Sequence, residues 1–319
     1  MAYDINTVYV SGHRNPDTDT VAASVSAAYL KKATGLSAVP VLQGPVNKET
    51  AFVLEKFGVP VPEIVPDVLP VDGVKRKVIL VDHQEYGQTF ETIGEAEIVE
   101  IIDHHKIGDI TTSAPIWFTN KPLGSTCTIL YGMFRENNVE IPKQIAGLLI
   151  SGLLSDTLLF KSPTTTETDK KVAAELCQIL GFTEKDMEDY AMEMFKAGSS
   201  FVGVSIEDIF HTDFKEIGIA DIKTGIAQVL TLDTEDILSR QDQFLDYMKK
   251  FRAEKGYFLT MLVVTDIIRE GSYILFDAED DRIVSLAVNK PAEQAVFVDG
   301  LVSRKKQVVP WFTEAYGKL

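Results

Sequence analysis

Residues 7–20 read TVYVSGHRNPDTDT. The β-branched and apolar run at 7–12 predicts a first strand. Thr18, Asp19 and Thr20 are candidate N-caps for the helix of small residues that follows, which runs to Ala33 and ends before Gly35. His13, Asp17 and Asp19 therefore fall on the turn between strand one and helix one. In an α/β fold that turn opens onto the ligand crevice at the carboxyl ends of the strands.

Reading outward, the pattern repeats. AVPVLQG, KVILVD (77–82) and AEIVEIID (96–103) read as strands, and KETAFVLEKFG as a helix. This alternation implies crossover connections, so an α/β fold with a mainly parallel sheet flanked by helices is expected. Asp82 ends one strand, and Asp103, His104 and His105 end another. Pro142 opens a helix through the apolar run IAGLLISGLL, and Asp156 lies just beyond it in GLLSDT. ETDKKVAAELCQILG and EKDMEDYAMEMFKAG read as two more helices. Gly198 is read as ending the last of these, and residues 198–205 as a linker between domains at 1–197 and 206–319. The second domain reads as strand IADIKTGIAQVLT, long helix TEDILSRQDQFLDYMKKFRAEKG, and β-rich runs YFLTMLVVTDI and GSYILFDAE. RIVSLAVN and the VVPWFTEAY tail complete it. A chain of 319 residues has enough sequence for two cores of this kind.

Carboxylates and imidazoles converging at strand ends, with no thiolate among them, favour Mn²⁺ or Co²⁺, with Mg²⁺ less suited to imidazole. Two ions about 3.5–4 Å apart could share a carboxylate and a water, whose lowered pKa would let hydroxide attack phosphorus at neutral pH. A single strand-end Asp is usually a cap, and a single His is usually just hydrogen-bonded. Here four of the five histidines sit in Asp-bearing motifs, which chance placement explains poorly. His83 is the weakest of the four, and His211 is read as an ordinary solvated or hydrogen-bonded side chain.

The formal charge is −16, with 27 acidic against 17 basic residues up to 205 and 20 against 14 thereafter. Neither half has the basic excess of a nucleic-acid-binding domain. A small anion needs only a few cations, and SRKKQVVP places Ser303, Arg304, Lys305 and Lys306 together. The KRK run at 75–77 is read as surface. Gly124, Ser125 and Thr126 precede a helical pattern and could bind an anion there, although plain capping also accounts for them. The apolar run at 145–154 is too short to span a bilayer, so no membrane partner is expected. MAYDINTVYV has no secretory pattern, and Cys127 and Cys177 suit a reducing compartment, so a cytoplasmic protein is expected.

GHRNPDTDT, LVDHQE, IIDHHKI and GLLSDT, with SRKKQVVP in a separate domain, resemble the family II inorganic pyrophosphatases of the DHH phosphoesterase superfamily. The resemblance covers nearly the whole chain and implies a DHH domain followed by a smaller α/β domain of DHHA2 type with a mixed sheet. It implies that His13, Asp17 and Asp82 ligate one metal, and Asp19, Asp82, His104 and Asp156 the other, with Asp82 bridging. His105 would contact substrate and give a proton to the leaving phosphate, with Asp103 supporting the imidazoles. Lys223, Arg304 and Lys305 would hold pyrophosphate, and domain closure would exclude water. Family II members use two Mn²⁺ or Co²⁺ per subunit, bring Mg²⁺ with the substrate, and form homodimers. About fifty residues separate DHH from SDT, too few for a regulatory CBS-type insertion. An exopolyphosphatase or small phosphodiesterase of the same superfamily is the alternative, since those share the metal motifs.

Overall fold

The computed structural model describes residues 4–219, 222–267 and 269–319. The chain forms two compact units, Met1–Gly198 and Ser199–Leu319.

In the first unit the elements run β1 (Val8–Ser11), α1 (Thr18–Ala33), β2 (Ala38–Leu42), α2 (Lys48–Lys56), β3 (Glu63–Ile64), β4 (Lys77–Val81), β5 (Glu97–Asp103) and β6 (Trp117–Asn120). Then come α3 (Thr126–Glu136), α4 (Lys143–Asp156), α5 (Glu167–Leu180) and α6 (Glu184–Ser199). The strands form one sheet in the order β3-β2-β1-β4-β5-β6, and every pairing is parallel. Val8, Val10 and the run Val78–Val81 are fully or nearly fully buried, as a sheet covered on both faces requires. Strand order reverses direction at β1 and β4, so a crevice opens beyond their carboxyl ends. Helix α1 carries Ala22, Ala23, Ala27 and Ala28 in its buried surface, which lets α4 pack close to it.

The second unit contains α7 (Ile206–His211), β7 (Phe214–Ile219), β8 (Ile222–Thr231), α8 (Thr234–Leu238), α9 (Gln241–Lys255), β9 (Leu259–Asp266) and β10 (Gly271–Ala278). These are followed by α10 (Arg282–Val288), β11 (Val296–Asp299) and α11 (Val309–Tyr316), the last preceded by a π-helical turn at Arg304–Val308. Its sheet has the order β11-β10-β9-β8-β7, with β8 and β9 parallel and the other pairs antiparallel. Apolar clusters line both faces of it, one around Met261, Ile274 and Phe312 and the other around Phe210, Phe244 and Leu262. The α/β class, with a mainly parallel first sheet and a mixed second one, is as expected.

Several local expectations are corrected. The N-cap of α1 is Asp17, one residue before the candidates, and its carboxylate accepts from Thr20 N at 2.9 Å. Helix α6 continues through Gly198 to Ser199, so that glycine does not end the helix. It is small because a Cβ there would lie 2.9 Å from Glu49 Cβ. Arg76 in the KRK run is buried, stacked 4.4 Å from the Tyr9 ring centroid, with Nη1 donating to Asp4 O at 3.0 Å. The helix expected over TEDILSRQDQF breaks between Leu238 and Gln241, where Arg240 Nε donates to Asp236 O and Nη1 to Val204 O. Residues 220 and 221 of the expected strand IADIKTGIAQVLT lie outside the described residues; the rest of it is the end of β7 and all of β8. His211 packs in a ring cluster with Phe210, Phe214, Tyr247 and Phe251, its Nε2 2.8 Å from the Tyr247 hydroxyl.

Candidate metal centre

Three neighbouring strand ends build the site. After β1 the chain turns through His13 to Asp17, and His13 Nε2 lies 3.2 Å from Asp17 Oδ2 and 3.6 Å from Asp82 Oδ2. Asp82 follows β4 with φ +63, a left-handed conformation uncommon outside glycine that persists only where the surroundings enforce it. Those surroundings are the bond from Asp82 N to Ile102 O (2.9 Å) and the hydroxyls of Thr20 (2.6 Å) and Thr126 (3.0 Å) on its two carboxylate oxygens. At the end of β5, Asp103 Oδ1 accepts from His104 N, His105 N and His105 Nδ1, while Oδ2 accepts from Gln84 Nε2. One buried carboxylate thus fixes the whole DHH turn.

Asp19 is fully buried in the first turn of α1 and is held by another helix. Ser125 Oγ donates to it at 2.6 Å, Thr126 N at 2.7 Å and Cys127 N at 3.1 Å. The helix N-terminus flagged at Gly124–Thr126 therefore does receive an anion, and the anion is the Asp19 carboxylate itself. Ser125 also caps α3. His104 Nδ1 is 2.9 Å from Leu123 O, which makes that nitrogen the donor and turns Nε2 toward Asp82 Oδ1 (3.4 Å) and Asp156 Oδ2 (3.3 Å).

Three overlapping sets of ligand atoms result, all containing Asp82: His13 with Asp17 and Asp82, Asp19 with Asp82, His104 and Asp156, and His104 with His105 and Asp82. His105 approaches Asp82 too, with Nδ1 3.8 Å away, and half of its side chain faces solvent. The donors fit divalent cations on two counts. His104 Nε2 is buried with no hydrogen-bond partner although it faces two carboxylates. The electrostatics also call for positive charge. Burial, together with the Asp82 charge, pushes the Asp19 carboxyl up to about 6, and burial with the Asp19 charge lifts Asp156 well above the carboxylate range. Burial pushes Asp82 up as well, but His104, the Thr20 hydroxyl and His13 outweigh it and hold that carboxyl at about 2. Burial disfavours imidazolium at His104, yet Asp156 and Asp82 raise it to about 12.

His83 falls outside these sets, buried with Nδ1 on Val81 O. In the second unit Lys223 is exposed on β8 and Lys305 is exposed on the π-helical turn. Arg304 lies against β8. Its Nη1 donates to the carbonyls of Asp213 and Ile226, and its Nη2 to Asp213 Oδ1 at 2.8 Å. Sequence reasoning missed the residues that hold the ligands. Thr20 read only as a helix-start residue, and Ser125 and Thr126 as caps or an anion site rather than as holders of Asp19 and Asp82. Asp169 read only as part of a helix, yet it is fully buried and accepts from Gly124 N, Thr128 Oγ1 and Thr166 Oγ1. Its one signal was the capping box with Thr166.

A doubly wound parallel unit with Asp and His at its switch point, joined to a unit with a mixed sheet, defines a DHH-type protein with a DHHA2 domain. The DHH family N-terminal domain matches residues 7–153, and the DHHA2 domain matches residues 192–315. A protein of Archaeoglobus fulgidus named probable manganese-dependent inorganic pyrophosphatase is 43% identical, over 98% of this chain and 99% of its own. The manganese-dependent inorganic pyrophosphatase of Methanothrix thermoacetophila is 39% identical over 98% and 99%. A crystal structure from Methanococcus jannaschii, assigned to the family II inorganic pyrophosphatases, superposes with a TM-score of 0.60 at 37% identity, covering 98% of this chain and all of that one. The chain belongs to the family of manganese-dependent inorganic pyrophosphatases.

Proposed function

We propose that the protein hydrolyses inorganic pyrophosphate to two phosphates at a centre holding two Mn²⁺ or Co²⁺ ions, with Mg²⁺ accompanying the substrate. The observation that carries this reading is that the His13/Asp17 and Asp19/His104/Asp156 ligand sets share Asp82, in a chain similar over nearly its full length to proteins named for this reaction. His13, Asp17 and Asp82 would hold one ion, and Asp19, Asp82, His104 and Asp156 the other. When bound, the ions supply Lewis acidity and lower the pKa of a shared water, so that hydroxide is available at neutral pH.

The chain's own residues do the rest. Asp82 is gripped by two threonine hydroxyls, so its two oxygens face the two sets in fixed directions. His105 is held at Nδ1 by Asp103, and that carboxylate raises the imidazole pKa. Its Nε2 is then the atom placed to give a proton to the leaving phosphate. Lys223, Arg304 and Lys305 bind the phosphate oxygens, Arg304 through a planar fork and the lysines as point charges. Arg304 must exchange its bonds to Asp213 for substrate. The free, buried Cys127 and Cys177 suit a reducing compartment, which supports a cytoplasmic location. Exposed Trp117 on the edge strand β6 offers an apolar surface consistent with a homodimer.

Phosphate release by Asp156→Ala and by the wild type, each with Mn²⁺, tests the reading. Removing this ligand should lower turnover by at least about 10²-fold while the circular dichroism spectrum is retained. Unchanged turnover would exclude the Asp/His centre as the catalytic site.

A further inference from the structure

Asp82 is common to the His13/Asp17 and Asp19/His104/Asp156 ligand sets. Asp17 belongs to the first alone and Asp156 to the second alone; they come from segments far apart in sequence, and a residue outside the sets ties these together. Glu49, in the first turn of α2, accepts hydrogen bonds from two hydroxyls on a single oxygen. Thr18 Oγ1 donates to Glu49 Oε1 at 2.6 Å, and Ser155 Oγ donates to the same atom at 2.6 Å. Thr18 stands between Asp17 and Asp19, and Ser155 immediately precedes Asp156.

We propose that Glu49 is a positioning residue that fixes the separation of Asp17 and Asp156, and so the spacing of the two cation sites, through the hydroxyls of Thr18 and Ser155.

The surroundings suit a fixed clamp. Thr18 is nearly fully buried and also lies 3.2 Å from Thr50 Oγ1, so its hydroxyl has little freedom to turn away. Glu49 is confined from the other side by Gly198, where a Cβ would come within 2.9 Å of Glu49 Cβ and 3.1 Å of its Oε2. Two hydroxyls donating to one carboxylate oxygen make short, charge-assisted bonds. Asp17 and Asp156 lie on the two segments that these hydroxyls tie to Glu49. A shift of a few tenths of an ångström between their segments would change the distance across the pair of sites.

This rests on the two-ion reading, and titration with Mn²⁺ alone, followed by calorimetry on protein stripped with chelator, separates the two. The wild type should take up two ions. Glu49→Ala should weaken Mn²⁺ binding about 10–100-fold, with the melting temperature of the stripped protein nearly unchanged. Glu49→Gln keeps an acceptor oxygen and should stay within about threefold of wild type. The double variant Thr18→Val/Ser155→Ala leaves Glu49 in place, removes both donors, and should reproduce the loss; it also serves if Glu49→Ala does not fold. Wild-type affinity in Glu49→Ala or in the double variant overturns the clamp, as does a Glu49→Gln protein as weak as Glu49→Ala. A wild type that binds only one ion overturns the two-ion reading itself, and the clamp with it.

Discussion

Asp19 and Asp82 share one ligand set with His104, and the protein's own charges drive their carboxyls in opposite directions, to about 6 and about 2. The difference lies in their donors. Asp82 faces imidazole from two sides, whereas Asp19 is satisfied by backbone and hydroxyl groups and bears the full effect of burial and of the neighbouring charge. A carboxyl raised to about 6 keeps its proton at pH 5, and a metal ion must displace that proton. Mn²⁺ affinity should therefore fall as pH drops through about 6, by up to about tenfold per pH unit for each proton released. Calorimetry at pH 5 and pH 7.5, in buffers of different ionisation enthalpy, checks both affinity and proton release; equal affinity at the two values would contradict the assignment. Lys305 belongs to the substrate side of the reading. Being exposed, it can be removed without loss of packing, and Lys305→Ala should raise KM for pyrophosphate about 5–10-fold, with the melting temperature unchanged.

Among the elements, the contact of α1 with α4 sets the depth of the site. A Cβ on Gly152 would lie 2.6 Å from both Asp19 Oδ1 and Cys127 Sγ. Gly152→Ala should push α4 outward, cost about 1–3 kcal/mol of stability, and weaken Mn²⁺ binding. A thermal melt paired with a metal titration reads both, and a variant with wild-type melting and affinity would show that the approach is not tight. The sequence made the parallel strands and their helices legible, because runs such as VILV at 78–81 are apolar throughout and lead into a chemical residue. It did not reveal β3, β6, β7 or β11. Of these, β3 has two residues and β6 and β11 have four each, and all four strands lie at sheet edges, where a buried face imposes little pattern. The metal ligands were legible because Asp and His are costly to cluster without function. Their supports, Thr20, Ser125, Asp169 and Glu49, were not, since Ser, Thr, Asp and Glu near helix starts have an ordinary capping explanation and only the tertiary fold shows what they hold.

At the scale of the whole molecule, the proposed chemistry is divided between the two units. The first collects carboxylates and imidazoles at a topological switch point, and the second carries Lys223 on β8, Arg304 against that strand and Lys305 on the π-helical turn. Among the described residues no helix is long and apolar enough to cross a membrane. Such a division fits a substrate small enough for a few cations to grip, in a chain whose net charge of −16 is unsuited to following a long polyanion. The most direct test is kcat/KM for pyrophosphate, tripolyphosphate, a longer polyphosphate and a dinucleotide, measured side by side with Mn²⁺. Hydrolysis of pyrophosphate to two phosphates should exceed the others by at least about 10²-fold, roughly 2.7 kcal/mol of transition-state discrimination. A preference for the longer chains or the dinucleotide, or no phosphate released from pyrophosphate, would contradict the account.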